Sequence, residues 1–457
     1  MKIIHLFILF PLLLSCSCSD SKDMPITEPT PPAAEVLTDE QILDLAQKDA
    51  LKYFWDYAET NSKLARERYH TDNTSLDAHL VTTGGSGFGL MTIIVGIERG
   101  FIPREEAVTR LTTALNFLEN ADRFHGAWSH WIDGNTGHVV PFGADDDGGD
   151  LVETSFMCQA LICVREYFKN STGAELALSQ KADILWKGVD WNWYTRGGEN
   201  VLYWHWSPNF EWIKNFKLQG YNECLITYVM AASSPTHPIT AAPYNQGWAR
   251  NGAIVNGGSR FGIPVIFDYN GASGNVGPMF WSHYSYMGLN PTGLTDQYAN
   301  YEDLVTNHTK IMQKHCIANP YSYAEYSDKC WGLTASYTRN ANGTTGYTAH
   351  SPTNDKGVIT PTAAISSFPY LPSECMKALR FFYQDKKDIL IGIAGPYDAF
   401  SPQYNWVTPR YLAIDQGTIT PMIENYRSKL LWDLFMNAPE VQTGLLNLGF
   451  HSSQYGF

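Results

Sequence analysis

Apolar positions along most of this chain recur every three to four residues, the period of an amphipathic helix. Thr38-Asp39-Glu40-Gln41 has the form of a capping box, Leu37 and Ile42 are placed as a hydrophobic staple, and Ile42, Leu45, Ala46, Ala50, Tyr53, Phe54 and Tyr57 continue the period. This predicts a helix over 39–59. Pro103 stands at a first-turn position, where a missing N–H costs nothing, and Val108, Leu111, Ala114, Leu115 and Leu118 then share one helical face. Further helical patterns fall at 87–99, 150–168, 175–190, 219–232, 297–316, 373–385 and 417–436. Loops rich in Gly, Pro, Asn and aromatic residues join them, and Asp133-Gly134-Asn135 predicts a hairpin across Phe124 to Val140. No composition break or repeat of 20–50 residues divides the chain after residue 35. The pattern therefore predicts a single all-α domain over 35–457, whose long loops build a site.

The first residues read differently. Met1-Lys2 followed by the apolar run Ile3 to Leu14 has the form of a secretory signal and is too short to span a bilayer. Leu13-Leu14-Ser15-Cys16 resembles a bacterial lipobox, which makes 1–15 a lipoprotein signal peptide and Cys16 the lipidated N-terminus. Residues 16–34, with Pro25, Pro29, Pro31 and Pro32, read as the tether that follows. The expectation is a lipid anchor in a bacterial membrane, at the outer membrane's periplasmic face or the cell surface. Cys158, Cys163, Cys224, Cys316, Cys330 and Cys375 form no CxxC pair, which argues against zinc; their apolar helical contexts suit buried thiols, with disulfides left open.

Composition narrows the chemistry. With 32 Lys and Arg against 46 Asp and Glu, the 457 residues carry a formal charge of −14, the wrong sign for a nucleic-acid ligand. Aromatic rings are abundant, with 14 Trp, 26 Tyr and 22 Phe against only 17% charged residues, as suits a groove that stacks on sugars. Asp145, Asp146, Asp147, Asp150 and Glu153 crowd together with no Lys or Arg between Arg123 and Arg165. On a helix Asp146, Asp150 and Glu153 would share one face. Asp150 could instead be an N-cap with Glu153 in the first turn, but that leaves the Asp triplet unexplained. EF-hand spacing is excluded because Asp150 occupies the position that needs Gly; an irregular calcium site stays open. Glu223 follows Gly220-Tyr221-Asn222, and Asp415 follows Leu412-Ala413-Ile414. Around these acids the sequence offers Trp128, His130 and Trp131, then Trp204, His205, Trp206 and Trp212, then Trp281, His283, Tyr284 and Tyr286. Glycoside hydrolysis needs one protonated acid and one carboxylate nucleophile or base, and crowded acids raise one another's pKa.

Several motifs resemble the bacterial glucoamylase-like group, which includes glycoside hydrolase family 144, the endo-β-1,2-glucanases. They are Thr83-Gly84-Gly85-Ser86-Gly87-Phe88-Gly89-Leu90-Met91, Gly148-Gly149-Asp150-Leu151-Val152-Glu153-Thr154, Gly220-Tyr221-Asn222-Glu223, His283-Tyr284-Ser285-Tyr286-Met287-Gly288 and Asp415-Gln416-Gly417. The resemblance implies an (α/α)6 toroid with six inner and six outer helices, and an inverting hydrolysis that releases short sophoro-oligosaccharides. It assigns Asp146, Asp150 and Glu153 to an acidic cluster at the cleft floor, Glu223 to the proton donor and Asp415 to a second candidate for water activation. Trp128, His130, Trp131, Trp204, Trp206, Tyr221, Trp281, His283 and Tyr284 are the expected sugar-binding residues. No cofactor or metal is called for, and the chain is expected to act as a monomer on a glucan. Exo action, another glucan linkage, or a noncatalytic lipid-anchored glycan-binding protein are the competing readings. A uronate lyase is disfavoured, since an acidic cluster has the wrong sign for its substrate.

Overall fold

Two kinds of helix alternate in the computed structural model, which describes residues 37–270 and 276–457. The signal, the Cys16 lipobox and the 16–34 tether lie outside the described residues. The first five helices are α1 (Asp39–Trp55), α2 (Thr83–Glu98), α3 (Arg104–Asn120), α4 (Leu151–Phe168) and α5 (Gly173–Lys187). The odd-numbered ones bury one stripe and expose the other face, whereas α2 is buried continuously from Thr83 to Gly96 and α4 from Leu151 to Arg165. A helix apolar all round must sit inside other helices. The alternation continues through α6 (Leu225–Ser233), a π-helical turn at Pro243–Trp248, 3-10 segments at Met279–Ser282 and Tyr284–Tyr286, and α7 (Tyr301–Ala318). The chain ends with α8 (Pro361–Ile365), α9 (Pro372–Arg380), α10 (Lys387–Leu390), α11 (Ala413–Arg427), α12 (Leu430–Met436) and α13 (Pro439–Leu448).

The inner layer packs α2 on α4, α4 on α6, α6 on the 3-10 segments, α8 on α11 and α11 back on α2. Between the 3-10 segments and the loop after α8, Tyr370 donates to the Ser282 carbonyl at 2.7 Å and His283 Nε2 meets Ser367 Oγ at 2.9 Å. Outside lie α1, α3, α5, the π-helical turn, α7 and α9. This is the all-α (α/α)6 toroid, built within the compact unit Thr38–Phe457.

The glycine run of α2 lets the inner helices touch. A Cβ on Gly87 would stand 2.8 Å from the Met157 Cα and the Phe156 carbonyl oxygen, both backbone atoms of α4. Gly87→Ala is therefore expected to lower stability by about 1–3 kcal/mol through overpacking, seen as an earlier denaturation midpoint with an unchanged slope.

The capping box at Thr38 and Gln41 forms as its sequence predicts. Other boundaries differ for physical reasons. Helix α2 begins at Thr83 rather than 87, because close packing outweighs the poor helix propensity of Gly84 and Gly85. The 219–232 pattern becomes helical only at Leu225, leaving Asn222 and Glu223 before the first turn. The 417–436 pattern starts earlier, at Ala413, and breaks at Lys429, whose φ of 64° is left-handed. The predicted hairpin pairs Trp131–Asp133 with Val139–Val140, and Leu80–Thr82 adds a third strand. A second hairpin, Ala335–Arg339 with Thr345–Ala349, is absent from the predicted elements, although Asn342-Gly343 in its loop is a turn signal that marks it. All six cysteines of the body are buried and unpaired. Among the described residues no helix is long and apolar enough to cross a membrane.

Candidate active site

Helices α2, α4, α6 and α11 all begin at one cavity of about 650 Å³, where Thr82, Glu153, Glu223, Leu412 and Ile414 line its wall. Helix N-termini carry partial positive charge, so several of them converging here favour carboxylates. His130, Trp131, Phe142, Trp204, Phe280, Tyr284, Tyr337 and Tyr347 add an aromatic lining, and Glu67, Arg68 and Arg410 a charged edge.

Glu223 is half-buried in this wall. Burial pushes its carboxyl up to about 7, and the charges of Glu153 and Asp150 push in the same direction. Glu153 is buried, and its Oε2 accepts the Gly84 N–H at 2.6 Å and the Thr82 hydroxyl at 3.4 Å. A Cβ on residue 84 would stand 2.5 Å from that same oxygen, so only glycine admits the carboxylate here. Burial raises the Glu153 pKa; the His130 charge opposes the shift and Asp150 adds to it.

Asp150 is the hub beneath them. It is the N-cap of α4, with Oδ1 accepting the Glu153 N–H at 2.9 Å and the Trp204 indole N–H at 2.8 Å, while Oδ2 takes His130 Nδ1 at 2.8 Å. Burial works to raise its pKa, yet the His130 hydrogen bond and the His205 and His130 charges hold it below the ordinary carboxylate value. His130 is pushed up to about 9 against its burial by Glu153 and Asp150, so an imidazolium stands in this wall at neutral pH.

The shared helical face expected of Asp146, Asp150 and Glu153 does not form, because α4 starts only after Asp150. Asp146 sits in the preceding turn, 3.4 Å from His205 Nδ1. Asp145 has a left-handed φ of 57°, and Asp147 turns away to Ser207 and Asn209. Asp415 lies in the first turn of α11 behind the wall, where its Oδ1 accepts the Tyr284 hydroxyl at 3.2 Å. Burial and a hydrogen-bonded neighbour, Asp398, raise the Asp415 pKa, while burial takes Asp398 itself to about 7.

Of the expected sugar-binding residues, His130, Trp131, Trp204 and Tyr284 line the cavity. The other five lie elsewhere. Trp128 is fully buried with its indole N–H on the Leu118 carbonyl, Tyr221 is buried with its hydroxyl on the Trp281 carbonyl, and His283 is bound to Ser367 and driven down to about 3 by burial. Trp206 stands edge-on to His125 and Trp193, and Trp281 stacks on Tyr269. Trp128, Tyr221 and His283 belong to the core, Trp206 and Trp281 are partly buried, and none of the five lines this cavity. Sequence reasoning missed Glu67, Arg68, Phe142, Tyr337, Tyr347 and Arg410. Arg68 and Arg410 reach the cavity through the antiparallel pairing of Arg68–His70 with Arg410–Leu412, in which Arg68 faces Leu412 and Arg410 faces His70, a long-range register with no local signal. Among the described residues no group of three or more His, Cys, Asp or Glu is arranged to hold a metal ion.

A helical toroid enclosing a cavity lined by acids and aromatic rings has the architecture of the glucoamylase-like class. A family profile described as "Putative glucoamylase" matches residues 215–439. The endo-β-1,2-glucanase of Chitinophaga pinensis, solved with sophorotriose and glucose, is 52% identical with a TM-score of 0.88, over 91% of this chain and 99% of that one. An exo β-1,2-glucooligosaccharide sophorohydrolase (non-reducing end) of Parabacteroides distasonis is 44% identical over 426 residues, 90% of this chain. The chain spans 58% of that relative's length. A solved β-1,2-glucanase from the same species is 43% identical with a TM-score of 0.84, over 91% of this chain and 60% of that one. The chain belongs to the bacterial glucoamylase-like family.

Proposed function

We propose that this chain is a glycoside hydrolase that cleaves β-1,2-glucan endolytically with inversion and releases short sophoro-oligosaccharides. The observation that carries the reading is Glu223, a cavity-wall carboxyl poised at about 7 beside two further acids. In this reading Glu223 gives its proton to the leaving glycosidic oxygen. Glu153 serves as the base: it lines the same cavity, and both its hydrogen bonds fall on Oε2, leaving Oε1 for a water proton. Asp150 has both oxygens engaged, which suits an anchor better than a base. Asp415 acts from behind through Tyr284 rather than at the wall. The names of the relatives support the β-1,2-glucan linkage, and near-complete coverage of the Chitinophaga enzyme supports endo action. The exo alternative rests on the sophorohydrolase at 44% identity.

Product analysis separates the two. Endo action gives an early mixture of oligosaccharides and a rapid fall in polymer length; sophorose alone from the first minutes would overturn it. Inversion is read as the α-anomer appearing first in proton NMR, and an initial β-anomer would contradict it. The pH dependence follows from Glu223. The acid must be protonated, so kcat/KM is expected to fall about tenfold per unit as pH rises past about 7. A rate still flat at two units above that value would remove Glu223 from the role.

A further inference from the structure

Phe142 is an exposed apolar ring that the proton-transfer scheme leaves unused. It lines the cavity yet is 45% exposed, while Glu153 below is buried and Glu223 half-buried, so Phe142 stands toward the mouth. Three restraints fix it. Its ring lies on the His130 imidazole with centroids 3.8 Å apart and planes 26° from parallel. The Trp131 indole meets it edge-on at 4.9 Å and 72°. Its backbone N–H donates to the Asp146 carbonyl at 3.2 Å, closing a turn in which Asp145 takes a left-handed φ. His130 is itself held by Asp150 at 2.8 Å, and a cationic imidazole is attracted to the aromatic face it lies against.

Exposing a large apolar ring to water costs free energy unless something covers it, and holding it rigid removes the entropy a binding partner would otherwise have to cover. A flat, fixed ring at the mouth of a sugar-sized cavity matches the apolar face of a glucopyranose. We propose that Phe142 is a chain-holding residue that stacks on a glucosyl unit outside the cleavage position, with His130 as its base plate and Asp150 as the anchor of that plate. The inference rests on the β-1,2-glucan reading and adds a subsite and a role for two of the cavity's charged groups. Such a contact is made equally in the ground and transition states, so it acts on KM more than on kcat.

The test uses the Glu223→Gln chain, which binds without turnover, and calorimetry with sophoro-oligosaccharides of increasing length. Adding Phe142→Ala is expected to weaken the longer members about 3- to 12-fold and the shortest member less, with Phe142→Trp restoring affinity. On the otherwise unaltered chain, Phe142→Ala raises KM for the polymer by a similar factor with a smaller fall in kcat. Affinity left unchanged by Phe142→Ala at every length, or a fall in kcat at constant KM, would overturn the platform. A Glu223→Gln chain that binds no sophoro-oligosaccharide at all would overturn the β-1,2-glucan reading, and the platform with it.

Discussion

Glu223→Gln is expected to lower β-1,2-glucan hydrolysis by about 10²- to 10⁴-fold, the usual worth of a positioned general acid. The amide keeps the shape of the side chain and cannot give up a proton, so substrate binding should survive. Stability should move the other way. A carboxyl whose folded pKa lies above its unfolded one costs the folded state as it ionises, a penalty absent below the ordinary Glu value and fully present above about 7. Removing the ionisable group, which also faces the charges of Glu153 and Asp150, should therefore leave the variant as stable as the wild type in acid and more stable above pH 7. Melting curves at two pH values beside an activity assay check both halves. A variant that is inactive because it is unfolded would not support the assignment.

Asp150 gives the second large effect, and the choice of substitution separates its roles. Asp150→Ala removes the cap of α4 and leaves the half-buried His130 imidazolium and the Trp204 indole N–H without their acceptor, a loss of about 2–4 kcal/mol. Asp150→Asn keeps a capping oxygen and an acceptor for Trp204, so its stability loss is smaller. Its rate is expected to fall by up to about 10²-fold, because His130 and Trp204, both cavity walls, lose part of the group that positions them. The pH dependence has a definite sign. His130 is raised to about 9 in the fold, so its stabilising contribution is complete below its ordinary value near 6.5 and is lost as pH rises through about 9. In Asp150→Asn that contribution should be smaller and should be exhausted at lower pH. An Asn variant as inactive as Glu223→Gln at wild-type stability would make Asp150 the chemical base instead.

Local signals in the sequence carry as far as local physics reaches. The cap of α1, the amphipathic stripe of α3 and the Asp133 hairpin depend on residues within a few positions of one another, and each forms where its pattern places it. The N-cap role of Asp150 is equally local. What decides the cavity is not. Trp128 and Trp131 are three residues apart and chemically identical, yet one is buried on the Leu118 carbonyl and the other faces the cavity. Glu67 and Arg68 reach the wall because their strand pairs with residues near 411, and Tyr347 because a hairpin folds over the cavity. The pattern of α2 begins four residues after the helix does, because its glycines read as breakers in the sequence while in the fold the backbone of α4 packs against them. The ordered motifs shared with the family supplied the grouping of Glu153 and Glu223 that periodicity alone could not.

Whether this acid-lined cavity hydrolyses β-1,2-linked glucan is decided by a linkage panel. Reducing-end release is measured from linear β-1,2-, β-1,3- and β-1,4-glucans at matched concentration near neutral pH. Release from the β-1,2 polymer should far exceed that from the other two and disappear in Glu223→Gln. No release from the β-1,2 polymer, or equal release from all three, would contradict it.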